Sequence, residues 1–436
     1  MIKNLSRALR GNTLALLLLL LLLPLTNDGT TKWRSDWAVD FIQFWIVGQA
    51  VNQISGIQNI YATVDKKIIR DHFFKKAVET GSHPMQRAMR FRGRLGLAGT
   101  PFLYTCFYLI STGDYERDHE IYRLLSLLFY VAGILVMCWL LRYSPWAIAL
   151  AFVPLLFHFW PLKSEILAGN VNELQLGALA FFLLALRFPE KTFQGGIAGF
   201  ILGMMVMFKP NLFVIPGLLA ASWIVQKRSA LLVRVAAGMA VGMVLAWAIS
   251  NLLLSPRCTW EGWFWGFQTV VFRNFYLRNS FLGMFIGADS TIYHRVLGGL
   301  LCLLPLFIVW KKFGSRDHAA GAATAFLWDF ALTSMGILVY LLSGPLIHGH
   351  YFLLTIPTLL FLLRPSPRID PSTRTTTTHV RYFFAILGFF LVSWHERVPG
   401  AGLARMWQHS DWNFYGTVVL YLTLLGDLHA GRWWRR

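Results

Sequence analysis

Long uninterrupted stretches of apolar side chains decide what this chain can become. They lie at roughly 13–26, 98–112, 121–141, 145–161, 172–187, 194–208, 210–226, 231–254, 291–310, 320–343, 350–364, 381–394 and 412–428. In hydrocarbon every backbone N–H and C=O must pair within the protein, so a spanning segment is a helix or part of a closed barrel. Barrel strands alternate apolar and polar side chains, and these runs do not. Only 14% of the residues are charged, against about 25% in a soluble domain. The mean hydropathy is +0.51. The predicted fold class is therefore an all-α polytopic membrane protein with about 11–13 transmembrane helices. Several runs fall short of the ~20 residues a full crossing needs, which predicts tilted, broken or re-entrant segments.

The formal net charge is +19. A nucleic-acid partner would use a clustered basic face. Here Lys and Arg sit in loops and at helix ends between apolar runs, which suits an anionic membrane surface or a lipid phosphate and argues against nucleic acid. The four cysteines, Cys106, Cys138, Cys258 and Cys302, form no Cys-x-x-Cys pair. They read as packing residues, with no disulfide, metal or other cofactor expected. Lys3, Arg7 and Arg10 precede the first apolar run, and no small-residue cleavage site follows. That predicts an uncleaved first helix with a cytoplasmic N-terminus.

Two stretches, 27–97 and 255–290, are too polar to span and too long to be turns, and loops of that length are usually functional. Lys227, Arg228 and Arg234 crowd a short loop that the positive-inside rule places in the cytoplasm. The next helix then carries 255–290 outside, and the first helix carries 27–97 to the same side. Both hold only if one segment between 98 and 226 fails to cross. Within the first loop, 38–55 has helical apolar spacing through Phe41, Phe44, Trp45 and Gly48. Residues 62–80 form a second expected helix. Val64, Ile68, Phe73, Phe74 and Val78 supply its apolar surface, and Lys66, Lys67, Arg70, Lys75 and Lys76 its charge. That pattern predicts a helix lying in the headgroup plane. Residues 365–380 are Pro- and Thr-rich and read as a linker between a module at 1–364 and a C-terminal transmembrane hairpin at 381–436.

Carboxylates at a membrane edge are costly, so they mark function. Asp36 and Asp40 stand just past the first run. Asp36 suits a helix cap, whereas Asp40 is already on the helix and has less reason to cap it. Sugar transfer needs a base for the acceptor hydroxyl and groups that hold a departing phosphate. Asp40 is placed to be the base. Lys209, beside the helix-breaking Pro210, reads either as a phosphate clamp or as a snorkelling lysine. Asn170, Asn172 and Glu173 precede a span, where Asn170 reads as a cap and Glu173 as the costlier group. Arg273, Arg278 and Asn279 lie among aromatics in the second loop. That combination suits a phosphate with an isoprenoid chain, or an interfacial belt. His348 and His350, two apart, do not share a helix face, which argues against a zinc pair and leaves phosphate binding or packing.

In this order the segments Asp40-Phe41 with Phe44-Trp45, Gly48, Ala50 and Ile60-Tyr61, Thr100-Pro101-Phe102-Leu103, Gly169-Asn170-Val171-Asn172, Phe208-Lys209-Pro210, Asn279-Ser280-Phe281-Leu282-Gly283 and His348-Gly349-His350 are similar to the motifs of glycosyltransferase family 87. The chain departs from the pattern where Asn170 replaces a glutamine and where a double proline is single. The resemblance covers roughly 35–365. It implies a GT-C-type membrane enzyme that moves a hexose or pentose, with inversion and no obligatory metal, from a polyprenyl-phosphate donor to a lipid-linked or cell-envelope acceptor. It implies Asp40 as base, with Lys209, His348, His350 and Arg278 as phosphate-binding candidates. It also implies an integral plasma (inner) membrane location with the site on the external side. The alternatives are a transporter or lipid flippase, which would carry polar groups at mid-span and repeated halves, and a lipid-linked polymer ligase, which would carry a large late loop.

Overall fold

The computed structural model describes residues 11–22, 38–92, 95–188, 192–273, 291–314, 322–344, 347–365, 377–393 and 412–430. Asp36, Arg278, Asn279 and most of the 365–380 linker lie outside the described residues. Among the described residues there is helix and no strand. Four helices are long and apolar enough to cross a membrane alone: α6 (Tyr115–Leu140), α12 (Ser229–Leu254), α14 (Thr291–Phe313) through its Val296–Phe313 part, and α15 (Ala322–Ser343) through its Ala323–Ser343 part. A bent pair, α7 (Pro145–Val153) with its π-turn Pro154–His158 and α8 (Trp160–Ala168), makes a fifth if counted as one span, with a 54° bend. Shorter apolar helices complete the bundle. They are α9 (Asn172–Leu186), α10 (Thr192–Phe208), α11 (Val214–Val225), α16 (Ile356–Leu362) with its preceding 3-10 turn, and α17 (Thr377–Ser393). Two flanking helices are α1 (Gly11–Leu22) and α18 (Trp412–Ala430). Buried residues of α17 and α18, among them Phe389 and Leu420, join the same apolar core as α6 to α12.

The bundle has two chemically different ends. One is basic and tied by ion pairs. Arg228 Nη1 meets both oxygens of the fully buried Asp329 at 3.0 Å. Arg364 and Arg381 meet Asp427 at 2.8 and 3.5 Å, and Tyr143 donates to Leu360 O at 2.7 Å. At the other end a second apolar cluster forms a separate layer. It contains α2 (Phe41–Gln53), α3 (Thr63–Glu79), α4 (His83–Arg92) and α5 (Pro101–Ile110). The chain just after α12 packs against this layer, through the Ile60 N–H on Arg257 O at 3.0 Å, ahead of α13 (Trp260–Arg273).

The sequence expects one segment between 98 and 226 not to cross, and the geometry singles out α5. Its ten residues rise only ~15 Å, half the hydrocarbon thickness. Both of its ends lie in the capping layer. Thr100 Oγ1 donates to Phe208 O at 2.9 Å at the start. At the finish Phe107 packs on Tyr122, and the Thr112 N–H bonds Asp118. The run at 145–161 also differs from expectation. It breaks at the π-turn and continues past its expected end as α8, through Pro161, Lys163 and Glu165.

The two helices expected at 38–55 and 62–80 are α2 and α3. Residues 41–48 of α2 are buried all round, because the layer covers α2 from above as the bundle does from below. On α3 the buried stripe is Asp65, Ile69, Phe73 and Ala77, at i, i+4 spacing. Phe73 meets the edge of Trp45 at 5.7 Å. Val64, Ile68 and Val78 stay exposed. Asp118 locks the layer to α6 by accepting from Trp45 Nε1 at 2.8 Å and from Thr112 and Gly113. Cys258 contacts the Tyr61 hydroxyl at 3.5 Å in this layer, and burial pushes its thiol up to about 12.

Candidate active site

Asp40 occupies the position before the first turn of α2, yet its carboxylate makes no cap bond. Its backbone N–H donates to Ala168 O at 2.7 Å, which fixes the start of α2 against the end of α8. That junction requires Gly169. Its φ is +66°, and a Cβ there would sit 2.8 Å from Phe41 Cβ. Only glycine combines the left-handed turn with that approach.

Freed from capping, the Asp40 carboxylate turns to side chains. Asn170 Nδ2 donates to its Oδ2 at 2.7 Å. Gln43 Nε2 donates to its Oδ1 at 3.2 Å. His350 Nε2 stands 3.8 Å from Oδ2 and 3.2 Å from Asn170 Nδ2. Asp40 and His350 are each 7% exposed, so the carboxylate is buried among polar groups.

Asn170 is the hub. Its Oδ1 accepts from Lys209 Nζ at 2.9 Å and from the next backbone N–H, of Val171, at 2.8 Å. It therefore does not cap α9, as the sequence reading allowed. That helix starts against Glu165, which accepts the Asn172 N–H at 2.6 Å and Asn172 Nδ2 at 2.8 Å. A carboxylate at a helix N-terminus is favourably placed against the macrodipole. Asn172 Oδ1 in turn accepts from Lys209 Nζ at 2.8 Å.

Lys209 owes its position to Pro210. The residue before proline is pushed out of helical geometry, and Lys209 sits extended at φ −153°, ψ 108°. This ends α10 and turns the side chain across the end of α9. The ammonium also lies 4.3 Å from the Tyr351 ring centre. Gln175 and Asn211 close the cluster below with an amide pair at 2.7 and 3.2 Å.

Asp40, Asn170, Asn172, Lys209 and His350 thus come together from four distant parts of the chain. Glu173 is buried on the neighbouring face of α9. His348 is exposed and stacks its ring on His350 and Tyr351, with centroids 5.6 and 6.0 Å away. Sequence reasoning missed Glu165, Gln43 and Tyr351. Glu165 carried a readable signal, a carboxylate within an apolar stretch. The other two carried none, since Gln43 and Tyr351 look like ordinary helix residues.

Chemically, the arrangement offers a carboxylate able to take a proton, an imidazole 3.8 Å away, and a cation held by two amide oxygens that an anion could displace. The sequence model of glycosyltransferase family 87 matches residues 100–340, a little over half of the 436 residues. Asn170, Asn172 and Lys209 fall inside the match, and Asp40 and His350 flank it. Neither a curated protein nor a solved structure matches the chain. The chain belongs to glycosyltransferase family 87 and is a multi-pass membrane glycosyltransferase.

Proposed function

We propose that the polar cluster transfers a hexose or pentose, with inversion, from a polyprenyl-phosphate donor to a lipid-linked or cell-envelope acceptor. The observation that carries this reading is the single hydrogen-bonded chain from the Asp40 carboxylate through Asn170 to the Lys209 ammonium. It places a base and a cation on either side of one amide. Asp40 Oδ2 takes the proton of the acceptor hydroxyl. The acceptor oxygen bonds to the anomeric carbon, and the bond from that carbon to the phosphate oxygen breaks. The phosphate keeps the electron pair and is held by Lys209 and by His350. Arg278 and His348 remain further candidates for the phosphate, and Asp36 and Asn279 for the surrounding loops. The direct test is purified protein in bilayer discs with a panel of radiolabelled polyprenyl-phosphate hexoses and pentoses and a membrane-lipid extract. Label should move to a lipid or glycan product from at least one donor. No transfer from any member overturns the reading.

The site faces outward across the plasma (inner) membrane. The basic end of the bundle, with Arg228, Arg364 and Arg381, fits the cytoplasm by the positive-inside rule. With α5 not crossing, the capping layer falls on the outside together with the chain after α12. The exposed Val64, Ile68 and Val78 among the lysines of α3 suit the headgroup plane. Thr80→Cys, in a background without the four native cysteines, should react with an impermeant maleimide in intact cells. Ser229→Cys should react only after permeabilisation. The reverse pattern would turn the molecule over.

A further inference from the structure

Against Asn170 lies a cavity of about 240 Å³. Its polar wall is His119, Tyr122, Arg123 and Ser126 of α6 with Glu165, Asn170 and Glu173. Its outer wall includes Leu124, which is 64% exposed on the flank of the bundle where lipid would lie.

The polar wall is not self-satisfied. The Tyr122 hydroxyl is used on Asn170 O, and both Glu165 oxygens are used on Asn172. Glu173 is different. It is 4% exposed, Ser126 is beside it, and its Oε1 has no hydrogen-bond partner among the described residues. A buried carboxylate oxygen left without a donor is costly. Such a group persists where a ligand supplies the donor, and hydroxyl groups, which both donate and accept, fit a wall that mixes carboxylates with Arg123 and the Asn170 amide. The space is below the roughly 300–1,000 Å³ of pockets for drug-sized ligands, which suits one ring rather than an oligosaccharide.

We propose that this cavity binds a single hydroxylated sugar ring of a lipid-linked substrate, with Glu173 Oε1 accepting from the ring hydroxyls and the lipid chain leaving past Leu124 and Leu127. The assignment rests on the transferase reading of the adjoining cluster, because Asn170 is the wall common to both. The ring belongs either to the donor or to a glycolipid acceptor, and both present the same hydroxyl chemistry.

The test is photo-crosslinking in bilayer discs with two probe sets bearing a diazirine in the lipid chain. One set is polyprenyl-phosphate sugars and the other is dodecyl glycosides, each as a panel of hexoses and pentoses. At least one sugar-bearing probe should label residues 119–127 in the wild-type chain and equally in Asp40→Asn. The sugar-free counterparts, polyprenyl phosphate and dodecanol, should label that segment weakly. Glu173→Ala should weaken the labelling probe's affinity by about two- to tenfold, the scale of one hydrogen bond. Leu127→Trp, which fills the cavity from its outer wall, should abolish the labelling and serves where Glu173→Ala does not fold. The set that responds identifies the source of the ring. The proposal is overturned if no sugar-bearing probe exceeds its sugar-free counterpart, or if both variants label like wild type. Sugar-dependent labelling without transfer in the donor panel would leave the cavity standing and remove the transferase mechanism. Transfer with unchanged KM for both substrates in Glu173→Ala would do the opposite.

Discussion

Asp40→Asn should leave a folded protein in the membrane and lower sugar transfer by about 10²–10⁴-fold, the range that a positioned proton acceptor contributes. Asparagine has nearly the same shape as aspartate. Its carbonyl oxygen can still accept from Asn170 or Gln43, now at 2.7 and 3.2 Å, so the start of α2 has little reason to move. What vanishes is the negative charge and the ability to take a proton at that oxygen. The measurement is the single-turnover rate with saturating donor, alongside the melting temperature in the same detergent. A useful contrast is Asp118→Asn. Asp118 accepts from Trp45, Thr112 and Gly113 and ties the capping layer to α6. That change should lower the melting temperature, because an amide cannot accept at both positions. A wild-type rate in Asp40→Asn would remove the base from the mechanism.

The buried setting of Asp40 gives this expectation its shape. Its donors compete with the acceptor hydroxyl for the same lone pairs, so the acceptor has to enter where the cluster is loosest. The 3.8 Å separation between Asp40 Oδ2 and His350 Nε2 is longer than a hydrogen bond. An acceptor oxygen seated there would meet the carboxylate on one side and the imidazole on the other. The amide of Asn170 sets how far apart the base and the Lys209 cation stand.

The parts of this site visible from sequence were those that violate a local rule. Asp40 is a carboxylate in an aromatic helix, Lys209 sits at a proline break, and Asn170, Asn172 and Glu173 are polar residues at the edge of a span. What sequence could not supply was their meeting. Asp40 and Asn170 are 130 residues apart, and Asn170 and His350 are 180 apart. No spacing rule reaches that far, because the contacts depend on which ends of the helices are juxtaposed. The same limit hid the role of α5. Its composition is that of a span, and only its contacts at both ends with the capping layer show where it lies. Glu165 stands beyond the expected end of its span at 161, in a helix that Pro161 helps to open, since proline is well tolerated in the first turn. On α3 Val64, Ile68, Phe73, Phe74 and Val78 all read as apolar surface, and the structure divides them, burying Phe73 while Val64, Ile68 and Val78 stay exposed. Where lipid can cover an apolar side chain, hydrophobicity alone does not separate inward from outward.

Gly199→Ala is expected to destabilise the protein by about 1–3 kcal/mol, the usual cost of forcing one extra carbon into a closed interface. Helices α10 and α12 pack backbone to backbone, as small residues permit within membranes. A Cβ on Gly199 would fall well inside 3 Å of the Val235 carbonyl oxygen and 2.8 Å from Met239 N. Neither is the end of a flexible side chain, so the helices themselves must part. Gly196 is three residues away on the same helix, and a Cβ there meets nothing within 4 Å. Gly196→Ala should be neutral or stabilising by up to about 1 kcal/mol, since alanine is the better helix former. Opposite signs for one chemical change on one helix separate packing from propensity. The consequence reaches the site, because α10 ends at Phe208, whose carbonyl holds Thr100, and the next residue is Lys209. Parting α10 from α12 should therefore raise the donor KM as well as lower the melting temperature, while Gly196→Ala changes neither adversely. Equal melting temperatures for the two variants would show that α10 and α12 are not in the close contact described.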